Sequence, residues 1–211
     1  MNITKIIRFK TVSKATIKMA VSVIACSILI LMNCSCDKYP LSETYTYSFE
    51  NTLEGWDSSG IYLDAPFIDW VVDVSDDISS DADYSVMLYL NNITEESAVW
   101  IERYFNLKPH CRYNIHVEYD FASADWSDDS LWTIITSVLP ATSQIKASYQ
   151  EDTGNRASAE DGFVWLHKSY DFIATTFASG EIYANIGVYG LPETARTYYI
   201  DNINITFTRY G

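Results

Sequence analysis

The sequence predicts an all-β protein, an antiparallel β-sandwich of jelly-roll type, and three observations carry that expectation. Hydrophobic residues recur with period two, most clearly from Cys111 to Phe121, where six apolar residues alternate with five polar ones; such a strand keeps one face in a core and one in water. Turn residues separate these runs, as in Asn106-Leu107-Lys108-Pro109-His110, Ser179-Gly180 and Gly190-Leu191-Pro192. No run of helical period exceeds about two turns, which argues against crossover helices and a parallel sheet.

Taken in order, the alternating segments are Tyr45-Tyr47-Phe49, Val86-Leu88-Leu90, 111 to 121, Ile182-Ala184-Ile186-Val188 and Tyr199-Asp201-Ile203-Ile205-Phe207. Runs at 67 to 74, 98 to 106, 131 to 138 and 163 to 173 are rich in β-branched and aromatic residues and add further strands. Polar stretches at 73 to 83 and 150 to 161 read as surface loops. Some nine strands with both ends of the body at sheet edges fit two packed antiparallel sheets.

The chain of 211 residues has a formal charge of −14, which averages two unlike parts. Lys5, Arg8, Lys10, Lys14 and Lys18 stand in a first segment of 36 residues without Asp or Glu, leaving nine basic residues against 28 acidic ones, a net −19, on the remainder. Nucleic acid is excluded as a partner of so acidic a body, because phosphate affinity comes from clustered Lys and Arg. The basic segment leads into fourteen apolar residues, Met19 to Met32. As a helix they span about 21 Å, short of the roughly 30 Å hydrocarbon core, so the pattern reads as an export signal over 1–35. The run ends in Asn33-Cys34-Ser35-Cys36-Asp37, which resembles a bacterial lipoprotein lipobox and implies lipidation at Cys36, with Cys34 as the alternative. Residues 36–44 are then a lipidated tether and 45–211 the folded domain, held outside the cytoplasm on the cell membrane or outer membrane by its acyl chains. An uncleaved membrane anchor is the other reading. Cys111, in phase with Tyr113 and Ile115, is expected to be a small buried hydrophobe.

Tyr47-Ser48-Phe49-Glu50-Asn51, then Leu53-Glu54-Gly55-Trp56, open the domain, and Tyr198-Tyr199-Ile200-Asp201-Asn202-Ile203 closes it. With Ile101-Glu102-Arg103-Tyr104-Phe105 between them, these segments resemble the galactose-binding-like jelly rolls, above all carbohydrate-binding modules. The resemblance implies a polysaccharide or glycan as partner, no catalysis, and a structural calcium ion on Glu50 and Asp201. Alternation gives a separate reason to look at Asp201: in phase with Tyr199, Ile203 and Ile205, its carboxylate is expected on the core side, where it needs a cation, backbone amides or an arginine as partner. The acidic cluster around Asp73, Asp77 and Asp83 lacks the spacing of a calcium-binding loop and reads as solvated.

Sugars are held by aromatic rings and by planar polar side chains, so a binding strand shows aromatics on its polar phase. Trp100, Glu102 and Tyr104 do so, as do Tyr183 and Tyr189 with Asn185, while the strand from 111 contributes Asn114, His116, Glu118 and Asp120. On one sheet these faces make a single groove, with Trp126 at its rim; alternatively the rings are sheet cover. Other readings are an adhesion or protein-interaction sandwich and, more remotely, an enzyme: a polysaccharide lyase, or a glycosidase with Glu102 and Glu118 as its carboxylate pair. The three histidines show no metal-ligand spacing of the H-x3-H kind, and no nucleophile or metalloprotease motif occurs.

Overall fold

The computed structural model describes residues 41–124, 131–140, 148–153, 162–192 and 195–210; the proposed lipidation site Cys36 and the rim residue Trp126 lie outside them. Residues Tyr39–Gly211 form one compact unit. Its described residues form eleven strands: β1 (Ser42–Tyr47), β2 (Asp57–Ile61), β3 (Asp69–Ser75), β4 (Ser85–Asn91), β5 (Ser97–Asn106), β6 (Arg112–Ser123), β7 (Trp132–Pro140), β8 (Tyr149–Asp152), β9 (Val164–Thr175), β10 (Glu181–Gly190) and β11 (Arg196–Arg209).

All pairings are antiparallel, in two sheets. The six-stranded sheet runs β3-β4-β11-β6-β9, with β1 also on β11; the five-stranded sheet runs β2-β5-β10-β7-β8. The alternation read from the sequence is the burial pattern found: Tyr113, Ile115, Val117, Tyr119 and Phe121 of β6 face Ile101 and Phe105 of β5 and Ile182, Ile186 and Val188 of β10 in one core. Within that core the Tyr119 hydroxyl meets the Thr136 hydroxyl at 2.6 Å, a polar link between the two sheets. The opening Gly-Trp is structural. Trp56 is buried edge-on against Tyr47 and Phe105, and Gly55, at φ +82°, leaves room for Arg103, whose guanidinium donates to the Glu54 carbonyl and lies over the Tyr47 ring.

Four strands differ from expectation, in three ways. Ser42, Glu43 and Thr44, assigned to the tether, belong to β1, because Ser42 and Thr44 find hydroxyl partners in Thr208 and Thr206 across the ladder. β2 and β8 are polar strands on the edges of the five-stranded sheet, too short to show a period. The third difference is in β11. Tyr198 and Ile200 point into the core, and so do Ile203, Ile205 and Phe207, so the phase reverses between them. The pairing with β6 shifts between Asp201 and Asn204, and Asn202 has a φ of +51°. This is a β-bulge: one extra residue turns every later side chain over. β11 also changes partner here, from β4 up to Ile200 to β1 from Ile203.

The bulge corrects the orientation of Asp201. It sits opposite Asp120 on the outward face of the sheet, not on the core side. Its full burial comes from the loop between β3 and β4, which folds over it.

Candidate functional site

The outward face of the five-stranded sheet is set by β5 and β10, whose pairing places Glu102 beside Asn185 and Tyr104 beside Tyr183. Asp57 of β2 flanks Glu102 on the other side, and Ser137 of β7 follows Asn185. The Glu102 Oε2 atom accepts from the Trp100 indole N–H at 2.7 Å and from the Tyr183 hydroxyl at 2.9 Å. The Ser137 hydroxyl donates to the side-chain Oδ1 of Asn185. Burial first, and then the Glu102 charge, push the Tyr183 phenol far above its usual range, so it remains a proton donor to that carboxylate.

Aromatic rings stand on either side of this row along the strands. Tyr104, 47% exposed, leans on the buried Tyr183 at 5.4 Å between ring centres, and Tyr149 of β8, 52% exposed, meets Tyr189 edge-on at 5.1 Å. Tyr189 donates to Glu96, and burial followed by that carboxylate raises its phenol to about 12. Tyr189 lies six positions beyond Tyr183 on β10, about 20 Å at the usual rise of a strand. Trp100 keeps its outward phase but is only 1% exposed, in a small apolar cluster with Ala98 and Ile135. It is therefore the floor of the face and not an open ring, while the exposed rings are Tyr104 and Tyr149. Tyr149 was not visible as a candidate because four residues of β8 show no alternation.

Asn114, His116 and Glu118 do not join this face. β6 belongs to the six-stranded sheet, so these side chains stand on the opposite outer surface, and the single groove expected from the sequence is two separate faces. Glu102 and Glu118 are consequently on different sheets and cannot flank one glycosidic bond. The second face carries its own polar row: Asn114 accepts from the Tyr210 hydroxyl, and His116 lies between Asp171 and Glu118. The hydrogen bonds of Asp171 and then Glu118 hold the His116 imidazole above its ordinary range.

Glu50 and Asp201 both hold the β3–β4 loop. Asp201 Oδ2 accepts from the amides of Ser80 at 2.9 Å and Asp81 at 3.2 Å and from the Ser80 hydroxyl, and its Oδ1 accepts from the Asn202 amide. Burial still raises its carboxyl against these donors. Glu50 Oε2 accepts from the Asp83 amide at 3.3 Å, while its Oε1 is buried with no partner. The charge of Asp201 is thus met by N–H and O–H donors. The atom that suits a cation is Glu50 Oε1.

A separate cleft of about 270 Å³ opens where β1 leaves the β11 bulge, lined by Thr46, Tyr47, Ser48, Glu54 and Asn202 to Asn204.

No protein-family model matches this chain, and no curated protein matches it. Among solved structures, it is similar to a protein described in a study of the promiscuous specificity of carbohydrate-binding modules of the β-sandwich superfamily (14% identity, TM-score 0.46, 74% of this chain and 59% of that one). It is also similar to the family 11 carbohydrate-binding module of Clostridium thermocellum, solved with a β-1,3-1,4-mixed-linked tetrasaccharide (10% identity, TM-score 0.44, 78% and 94%). A third is the enzymatically active domain of tailspike protein 4 of bacteriophage CBA120 (13% identity, TM-score 0.44, 75% and 20%). This chain spans about three-fifths of the first of these and a fifth of the third. These three TM-scores are below 0.5, and the sandwich is established here by the strand pairing itself.

Proposed function

We propose that this protein is a non-catalytic, surface-anchored lipoprotein whose domain binds a polysaccharide or glycan on the outward face of the five-stranded sheet. One observation carries the reading: Glu102, oriented by Trp100 and Tyr183, stands in a row of polar side chains with the exposed rings of Tyr104 and Tyr149 on the same face. A fixed carboxylate and amide give sugar hydroxyls their partners, and ring faces take the apolar side of the sugar. The test is affinity electrophoresis of the full chain against a panel of soluble polysaccharides. Tyr104→Ala combined with Tyr149→Ala should abolish retardation with little change in melting temperature, since both rings are half-exposed; retention of binding by that double variant rejects this face.

Two further parts of the reading have their own tests. Lipidation at Cys36 is supported by Ser35 before it and the apolar run upstream; Cys36→Ser should move the protein from the membrane fraction to the soluble one. A calcium ion at the β3–β4 loop is supported by the unpartnered Glu50 Oε1 and by a second carboxylate, Asp201 of β11, that binds the same loop. Oxygen donors of this kind suit a hard cation. Chelation with EDTA should lower the melting temperature in the wild type and not in Glu50→Gln; an unchanged wild-type transition removes the ion.

A further inference from the structure

The outward face of the six-stranded sheet holds a second constellation. Alternation along β6 puts His116, Glu118 and Asp120 on this face, and the β6–β9 register sets Asp171, Ser169 and His167 directly across from them. His116 has Nδ1 at 2.8 Å from Asp171 and Nε2 at 3.1 Å from Glu118 Oε1. His167 approaches from the other end, with Nδ1 at 3.1 Å from Asp120 and Nε2 at 3.7 Å from the same Glu118 oxygen. The two imidazoles therefore lean toward the middle row from opposite sides, each backed by a carboxylate, each aiming Nε2 at one atom.

That geometry poses a chemical question. An imidazole that gives its Nδ1 proton to a carboxylate presents a lone pair at Nε2 when neutral. Two such nitrogens aimed at one carboxylate oxygen bring three atoms of the kind that ligate a metal cation toward one place. A ring nitrogen whose partner nitrogen is bonded to a carboxylate is also the usual arrangement of a histidine metal ligand. Zinc bonds of 2.0–2.2 Å in a tetrahedron put neighbouring ligand atoms about 3.3–3.5 Å apart, and the 3.1 and 3.7 Å found here lie on either side of that.

We propose that His116, His167 and Glu118 bind a divalent transition-metal ion, zinc foremost, with Asp171 and Asp120 as positioning residues for the two rings. As the side chains stand, no three His, Cys, Asp or Glu among the described residues form a closed metal-holding group. Binding would draw the His167 Nε2 atom in from its 3.7 Å, on a ring whose side chain is 60% exposed. Ser169, the residue across from Glu118, is small and exposed and leaves the fourth position to water. Two imidazoles and one carboxylate favour zinc, copper or nickel over calcium, so this site is distinct in chemistry from Glu50 and Asp201.

The test titrates zinc into the full chain, carrying no histidine tag and freed of metal, with excess calcium present to occupy hard-oxygen sites. Isothermal calorimetry should show one zinc per chain, and cobalt(II) should give the intense visible absorption of a tetrahedral centre. The double variant His116→Ala with His167→Ala should lose both signals. Asp171→Asn, which alters only a side chain that is 87% exposed, should weaken zinc binding about 10-fold through loss of ring positioning. An unchanged melting temperature in calcium without zinc shows that both variants fold. Zinc affinity equal in wild type and the double-histidine variant, or no heat up to millimolar zinc, overturns the proposal.

Discussion

Replacing Asp201 with alanine should loosen the β3–β4 loop and lower the stability of the whole domain. The side chain is fully buried and accepts four hydrogen bonds, from the Ser80, Asp81 and Asn202 amides and the Ser80 hydroxyl, at 2.8 to 3.2 Å. Hydrogen bonds to a charged acceptor contribute about 1.5–3 kcal/mol each, but two offsets apply. Ser80 and Asp81 are exposed, so their released amides find water, and burial already disfavours the ionised carboxylate. A net loss of about 2–4 kcal/mol follows, and at about 2–4 °C per kcal/mol for a domain of this size the melting temperature should fall by roughly 5–15 °C. Asp201→Asn should fall between, since its amide keeps one acceptor but turns its NH₂ toward a backbone donor. The assay is thermal unfolding by circular dichroism in EDTA, so that any bound cation is absent from both proteins, with hydrogen exchange of residues 78 to 83 as the local readout. A melting point within about 2 °C of wild type, with exchange in the loop unchanged, would refute the idea that these four bonds tie the loop to the buried carboxylate.

Three more expectations follow from the packing. Tyr119→Phe deletes the hydroxyl that meets Thr136 between the sheets and leaves a buried hydroxyl without its partner; urea unfolding should show a loss of about 1–3 kcal/mol, and no loss would mean the bond is not formed in solution. Gly187→Ala should destabilise by more than about 1 kcal/mol, because a Cβ there meets the Val99 carbonyl at 2.1 Å and Trp100 Cα at 2.5 Å, and neither strand has room to give; a neutral result would show that β5 and β10 lie further apart. Burial pushes the Glu151 carboxyl up, but the Tyr170 hydroxyl and the Lys168 ammonium outweigh it and hold the group below its usual range. A depressed carboxyl contributes stability that is complete above its unfolded value, about 4.3, and is lost as the pH falls through the folded one. Wild type should therefore lose more stability than Glu151→Gln between pH 5 and 3, read from urea midpoints; parallel curves contradict the assignment.

Period-two alternation by itself determined the strands of the core, because burial of one sheet face is a local property written into every second residue. Val99, Ile101 and Phe105, or Ile182, Ala184 and Ile186, are inward in the fold as in the pattern. The same alternation carried the outward phase of Trp100, Glu102, Tyr104, Tyr183 and Tyr189, and the neighbouring places of β5 and β10 made them one face. It failed wherever a property depends on partners. Alternation says which side of a strand a residue is on but not which sheet the strand joins, so His116 and Glu118 were placed beside Trp100 when the whole sandwich lies between them. It also presumes an unbroken ladder, and the one extra residue at Asn202 reversed the phase that placed Asp201 in the core. Only the tertiary structure decided that Asp201 is covered by a loop, that Trp100 is a floor, and that two histidines 51 positions apart share one glutamate oxygen. Those outcomes rest on strand order and on a single bulge, which residues distant in sequence settle together.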